Sequence, residues 1–172
     1  MGPSGRRMFG KILVGYDGSA HAHRAAEAAI ALAGKFHAAL TVAVVRPDSA
    51  EAPPPDLERL FPIGEESRPL GVVLDDLRDR AVAAGASAFD ATVLRGDTVD
   101  LLVGALERGR FDLAVVGSRG LTPGRRIFLG SVSSALVDRA PCPVLVVRPH
   151  RRPAVGRPLS GGTGGAGTGG AA

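Results

Sequence analysis

The residues with the most chemical content lie in one run, VVGSRGLTPGRRIFLGSVSSALV, from Val115 to Val137. It opens as an apolar strand and closes as a helix, and the fourteen residues from Gly117 to Gly130 include four glycines and three arginines. Strand-to-helix connections ordinarily take about two to six residues, so the extra length needs a use. Gly117 and Gly120 lack side chains, which lets the backbone turn sharply and come close to a ligand. Gly130 and Ser131 begin a helix whose first N–H groups have no internal acceptors and whose positive dipole end attracts anions. Backbone amides in that setting suit a phosphate chain. Ser131 and Ser133 add hydroxyl donors, and Arg119, Arg125 or Arg126 would supply charge. The same residues also read as a mobile surface loop ending in a helix cap, and physics alone does not separate the two readings.

Asp17 is the second chemical position, placed just after the apolar run KILVGY and just before Gly18 and Ser19. A carboxylate there either caps the helix that follows or accepts hydrogen bonds from a sugar hydroxyl or a base amine. Other candidates carry less. His21 and His23 stand two apart on a helix and face different sides, so they form no metal pair. His23 with Glu27 falls two ligands short of a metal site. Both histidines read as solvent-facing. Arg95-Gly96-Asp97 spells an adhesion tripeptide but joins a strand to a helix, with Asp97 available as a cap. Cys142, between two prolines and with no second cysteine in the chain, reads as a small core residue. No residue is assigned as catalytic. The chain has no nucleophile elbow, no Ser/Lys pair and no histidine in the two loops above, and amides, serines and arginines bind and polarise without acting as a general base.

These positions depend on an alternating series of elements. KILVGY (Lys11 to Tyr16) is a continuous apolar run of the kind a strand covered on both faces needs. After it, Ala22, Ala26, Ala29, Ile30, Ala33 and Phe36 recur at helical spacing, with Ser19 as cap. ALTVAVV is the second strand. A loop rich in proline and acid, Arg46 to Arg68, leads to a helix over about Leu70 to Ala84 that stops on Gly85. FDATVL is the third strand, and DTVDLLVGALERG a helix capped by Asp97 or Thr98 and closed by Gly109. LAVVG is the fourth strand, the fourth helix starts at Ser131, and PVLVV is the fifth strand. Such alternation predicts an α/β fold: a doubly wound, five-stranded parallel sheet in the order 3-2-1-4-5, with right-handed crossovers and helices on both faces. The winding reverses between strands one and four. Ligands bind at that switch point, beyond the carboxyl ends of the strands, and there the Asp17 loop and the long glycine loop converge.

Length and composition agree with this plan. The 172 residues, 45% of them hydrophobic, suit one domain with one core. No apolar run approaches the roughly 18 residues of a membrane span, and MGPSGRRMFG lacks the apolar centre of a signal peptide. A cytoplasmic protein with no membrane partner is therefore expected. The net charge of +4 comes from the four arginines from Arg148 onward, and the rest of the chain balances 17 basic against 17 acidic groups. With seven aromatics in all and no basic stripe among them, nucleic acid is not expected as a partner. Residues 1–7 are expected to be a flexible N-terminus, 8–149 the domain, and 150–172 a disordered basic and glycine-rich tail. Gly162, Gly164 and Gly167 in that tail spell GxGxxG, but no strand precedes them and no helix follows, so the match is compositional.

The stretches KILVGYDGS, RGDTVDLLV, FDLAVVGSRG and LGSVSSALVDRAPCPVLVV together resemble a universal stress protein domain of the adenine-nucleotide-binding kind, over about Met8 to Pro149. That family's signature, G-x2-G-x9-G-[ST], is met by Gly117, Gly120, Gly130 and Ser131. The resemblance implies a Rossmann-like, adenine nucleotide alpha hydrolase-like fold and ATP as ligand, with magnesium as an accompanying ion. It places Asp17 against the adenosine, and the main chain around Val44 against the adenine edge. Gly117, Gly120, Gly130, Ser131, Val132 and Ser133 would surround ribose and phosphates, with Arg119 at a position that varies in the family. Gly15, Tyr16, Val116 and Ser118 complete the expected set. It further implies a homodimer through strand five, an apolar edge unguarded by lysine. The function implied is a nucleotide-dependent stress-response binding protein whose state is read by a protein partner that the sequence does not identify. The alternative is a slow ATPase or nucleotidyl-handling enzyme of the same fold.

Overall fold

A computed structural model of the chain describes residues 8–46, 60–63, 66–119 and 129–148. Its elements are, in order, β1 (Lys11–Tyr16), α1 (Ala20–Phe36), β2 (Ala39–Arg46), β3 (Leu60–Ile63), β4 (Glu66–Pro69), α2 (Leu70–Ala84), β5 (Ala88–Arg95), α3 (Thr98–Gly109), β6 (Leu113–Gly117), α4 (Ser131–Arg139) and β7 (Val144–Val147). Five of the strands form one parallel sheet, ordered β5-β2-β1-β6-β7. With the five strands counted alone, this is the expected 3-2-1-4-5 arrangement.

β1 lies at the centre because its residues tolerate burial on both faces. Ile12, Val14 and Tyr16 point into a layer made with α1 and α2, and Leu13 into a second layer that includes Leu102 and Leu106 of α3 and Leu136 of α4. The β1–β2 register runs from Lys11 opposite Ala39 to Tyr16 opposite Val44. At the amino end of β1, Asp112 accepts from the amides of Gly10 and Lys11, both at 2.8 Å, which fastens the start of the strand to the start of β6.

The helix ends refine the sequence reading. Ser19 caps α1, and Gly85 ends α2 in the left-handed conformation at φ 94°, both as expected. Asp97 caps α3 by accepting from Val99 and Asp100, so the adhesion-like tripeptide serves as a strand-to-helix turn. α3 closes on Gly109 as expected, but Gly109 is not the left-handed residue. Arg110 takes that role at φ 50°, and Gly109 lacks a side chain because the ring of Phe111 occupies the space.

A second departure is the antiparallel hairpin β3–β4, which occupies the end of the expected loop of residues 46–68 and runs one residue past it to Pro69. Each of its strands has four residues and one proline, Pro62 or Pro69. Proline removes a ladder donor, so no strand signal stood out. Cys142 is half-buried against the α3/α4 layer rather than fully inside it, and burial raises its thiol pKa. Among the described residues no helix is long and apolar enough to cross a membrane. The expected flexible N-terminus at 1–7 and the tail at 150–172 lie outside the described residues.

α1 and α2 meet at Gly34, where an added Cβ would overlap the carbonyl oxygen of Ala84. Helix propensity alone favours alanine over glycine by about 1 kcal/mol. The backbone contact reverses the sign: Gly34→Ala is expected to lower stability by about 1–3 kcal/mol, measured by urea unfolding. An unchanged or raised midpoint would contradict this packing.

Candidate functional site

β1 and β6 are adjacent and parallel, yet the chain leaves them in opposite directions. α1 packs on one face of the sheet through Ala25, Ala29 and Ala33, and α4 on the other through Leu136. The amino ends of both helices therefore flank a crevice at the carboxyl edge, the expected switch point.

On the α1 side the chain turns at Gly18, with φ 83°. Asp17 Oδ1 accepts from the Ser19 amide at 3.0 Å, and Ser19 Oγ accepts from the Ala22 amide at 3.1 Å. Capping thus falls to Ser19, while Asp17 bends the chain into the helix and stays half-buried at the edge. Tyr16 and Val44 face each other across the β1–β2 ladder, and both side chains are buried in the core, so only their main chains border the crevice. Val44 is also paired with Val93 and lies two positions before the end of β2 at Arg46. Gly15 has Val116 and Leu102 where a Cβ would go.

On the α4 side, the Gly130 amide donates to the Ser118 carbonyl at 2.8 Å, and the Ser118 amide donates to the Val147 carbonyl at 2.9 Å. The two ends of the long glycine loop are thereby tied together, and both to the end of β7. Gly130 is the N-cap of α4 in ordinary extended geometry, and no side chain caps this helix. The Gly130 carbonyl accepts from the Ser134 amide at 2.9 Å and from Ser133 Oγ at 3.0 Å. Ser118 and Ser133 are buried, Val132 is half-buried, and Ser131 and Arg119 are exposed. Gly120, Arg125 and Arg126 lie outside the described residues.

Two of the signature glycines have neighbours within the chain itself. A Cβ on Gly117 would lie 2.7 Å from the carbonyl carbon of His21, and one on Gly130 would lie 3.3 Å from the Ser118 oxygen. Sequence reasoning did not find the contact between Gly117 and His21, because only the three-dimensional crossing of β6 over the first turn of α1 produces it. It also missed the charges around Tyr16. Burial, reinforced by Asp17 and Asp76 and opposed by Arg68 and Arg80, pushes the phenol up to about 12. Glu27 pairs with Arg80 at 3.2 Å and with His23 at 3.8 Å, so His23 is part of an inter-helix charge cluster. Among the described residues, no group of three or more His, Cys, Asp and Glu side chains could hold a metal ion.

The model of the universal stress protein family matches residues 8–148. A universal stress protein of Thermus aquaticus is 39% identical over 143 residues, covering 82% of this chain and 100% of the relative. One from Bacillus subtilis (strain 168) is 33% identical over 149 residues, with 82% and 100% covered. Among solved structures, a universal stress protein in complex with cAMP is 30% identical, with a TM-score of 0.63 over 81% of this chain and 97% of that one.

The geometry gives two expected outcomes. Gly117→Ala forces β6 away from α1 and should cost about 1–3 kcal/mol, whereas Gly130→Ala, where the Ser118 carbonyl at 3.3 Å need give by only a few tenths of an ångström, should cost less; equal melting temperatures for the two would contradict this. For Tyr16 the folded pKa, about 12, exceeds the ordinary tyrosine value of 10.0. The unfolded chain therefore releases its proton first, and stability falls between about pH 10 and 12, by at most roughly 2–3 kcal/mol. Tyr16→Phe should flatten that part of a pH–stability curve.

Proposed function

The chain belongs to the universal stress protein family, and on that premise we propose that it binds an adenine nucleotide, ATP, across the carboxyl edge of its sheet. It acts as a nucleotide-dependent stress-response binding protein, a cytoplasmic homodimer built from one domain over residues 8–149. One observation carries the reading. The Gly130–Ser118 bond sets the uncapped amino end of α4 beside the ends of β1 and β6, where unpaired amides and the helix dipole favour phosphate. In this arrangement Gly117, Ser118, Gly120, Gly130, Ser131, Val132 and Ser133 hold ribose and phosphates, and Arg119 adds charge. Asp17 and the main chain at Gly15, Tyr16 and Val44 face the adenosine, with Val116 packed beneath. The 30% identical relative solved with cAMP supports an adenine nucleotide as the ligand class. A magnesium ion accompanying ATP would be held mainly by the phosphates.

The dimer reading rests on a difference between the two sheet edges. On β5 the Asp90 carboxylate takes up the Ala91 amide at 2.8 Å, a charged guard on that edge. The other edge strand, β7, reads VLVV, has no charged residue and leaves Leu145 exposed.

Calorimetry on the purified chain tests the ligand. Asp17→Ala should weaken ATP and AMP alike. Gly130→Val should lower ATP affinity about tenfold or more, roughly 1.4 kcal/mol, and affect AMP less. Parental ATP affinity in both variants would refute the site. ADP formed under excess ATP in the same sample measures the alternative, slow hydrolysis. In sedimentation, the parent should run as a dimer at micromolar concentration and Val146→Glu as a monomer; a monomeric parent would refute the β7 interface.

A further inference from the structure

His21 lies in the first turn of α1, at the end of the helix that borders the crevice. Its main chain and Cβ press on the last residue of β6: a side chain on Gly117 would stand 2.7 Å from the His21 carbonyl carbon and 2.9 Å from its Cβ. The imidazole therefore starts beside the first glycine of the long loop. Helical Cα–Cβ bonds tilt toward the amino terminus, and for α1 that end is the carboxyl edge of the sheet, so the Cα–Cβ bond of His21 leans toward the crevice.

The polar contacts of the histidines differ. His23 has Glu27, and His37 Nδ1 meets the Gly85 carbonyl at 3.1 Å. His21 is half-buried, and among the described residues no hydrogen bond or ion pair engages its ring. A partly desolvated imidazole gains from a partner, and even the neutral ring always carries one N–H donor.

We propose that His21 is a specificity-determining residue of this edge, donating a ring N–H to a phosphate oxygen of the bound nucleotide from the α1 side, opposite the amides of α4. The proposal rests on the nucleotide reading above and adds discrimination between phosphorylated adenine nucleotides and the bare nucleoside.

The test is calorimetry of the full chain with ATP, AMP and adenosine. His21→Ala should bind ATP and AMP about three- to tenfold more weakly, the scale of one net hydrogen bond, with adenosine unchanged. His21→Gln, which keeps an N–H donor, should recover most of the loss, and His21→Phe, which keeps the ring's bulk, should not. His23→Ala should behave like the parent. If His21→Ala loosens the fold, the Gln/Phe pair decides. ATP affinity that is the same in the Phe, Ala and parental chains overturns the proposal, as does a loss that extends equally to adenosine. A parent that binds neither ATP nor AMP overturns the nucleotide reading itself, a result separate from any His21 effect.

Discussion

Strand β1 is hydrogen-bonded on both sides and covered on both faces, so Ile12, Leu13, Val14 and Tyr16 are withdrawn from water. A strand held in this way leaves its successor helix a choice of faces, and α1 takes one while α4, which follows the neighbouring strand, takes the other. The crevice between their amino ends follows from that divergence. Asp17, Gly117 and Gly130 come to the same edge because the central pairing of β1 with β6 brings together segments about a hundred residues apart in sequence.

The glycines at this edge have a use in the fold itself. Gly117 lets the end of β6 pass the backbone of α1, and Gly130 lets the start of α4 lie against Ser118. Neither has a positive φ, so neither is glycine because of its dihedral angles; each is glycine because other atoms come close. Both contacts lie inside the protein. A glycine motif that matches a ligand-binding signature therefore also has a packing reason, and the loss of either glycine has to be judged on stability as well as affinity.

Most of this architecture was legible from periodicity. The continuous apolar runs gave β1 and β6 nearly residue for residue, and the order of strands followed from their alternation with helices. Caps were legible where one residue type has one local use, as with Ser19, Asp97 and Gly85. The close of α3 on Gly109 was legible too, but the sequence does not show that Phe111 folds back over it and leaves the left-handed position to Arg110. The hairpin at Leu60–Pro69 was hidden by its prolines. At the carboxyl edge, the turn at Asp17 and the loop ends at Gly117 and Gly130 were legible as positions. The place of His21 beside Gly117 was not, since no sequence spacing encodes which helix turn passes beneath which strand end.

To the sheet, the segment between Ser118 and Gly130 is one hydrogen bond wide, however many residues it contains. As a general rule of chain closure, holding two ends together costs only about 0.6 kcal/mol more for each doubling of the length between them, so the frame sets little limit on the number of residues placed there. β6, β7 and α4 are thus held to one another at two posts, Ser118 and Gly130, whatever residues lie between. That makes this position a natural point for splicing in a longer or shorter sequence while β6, β7 and α4 stay in place.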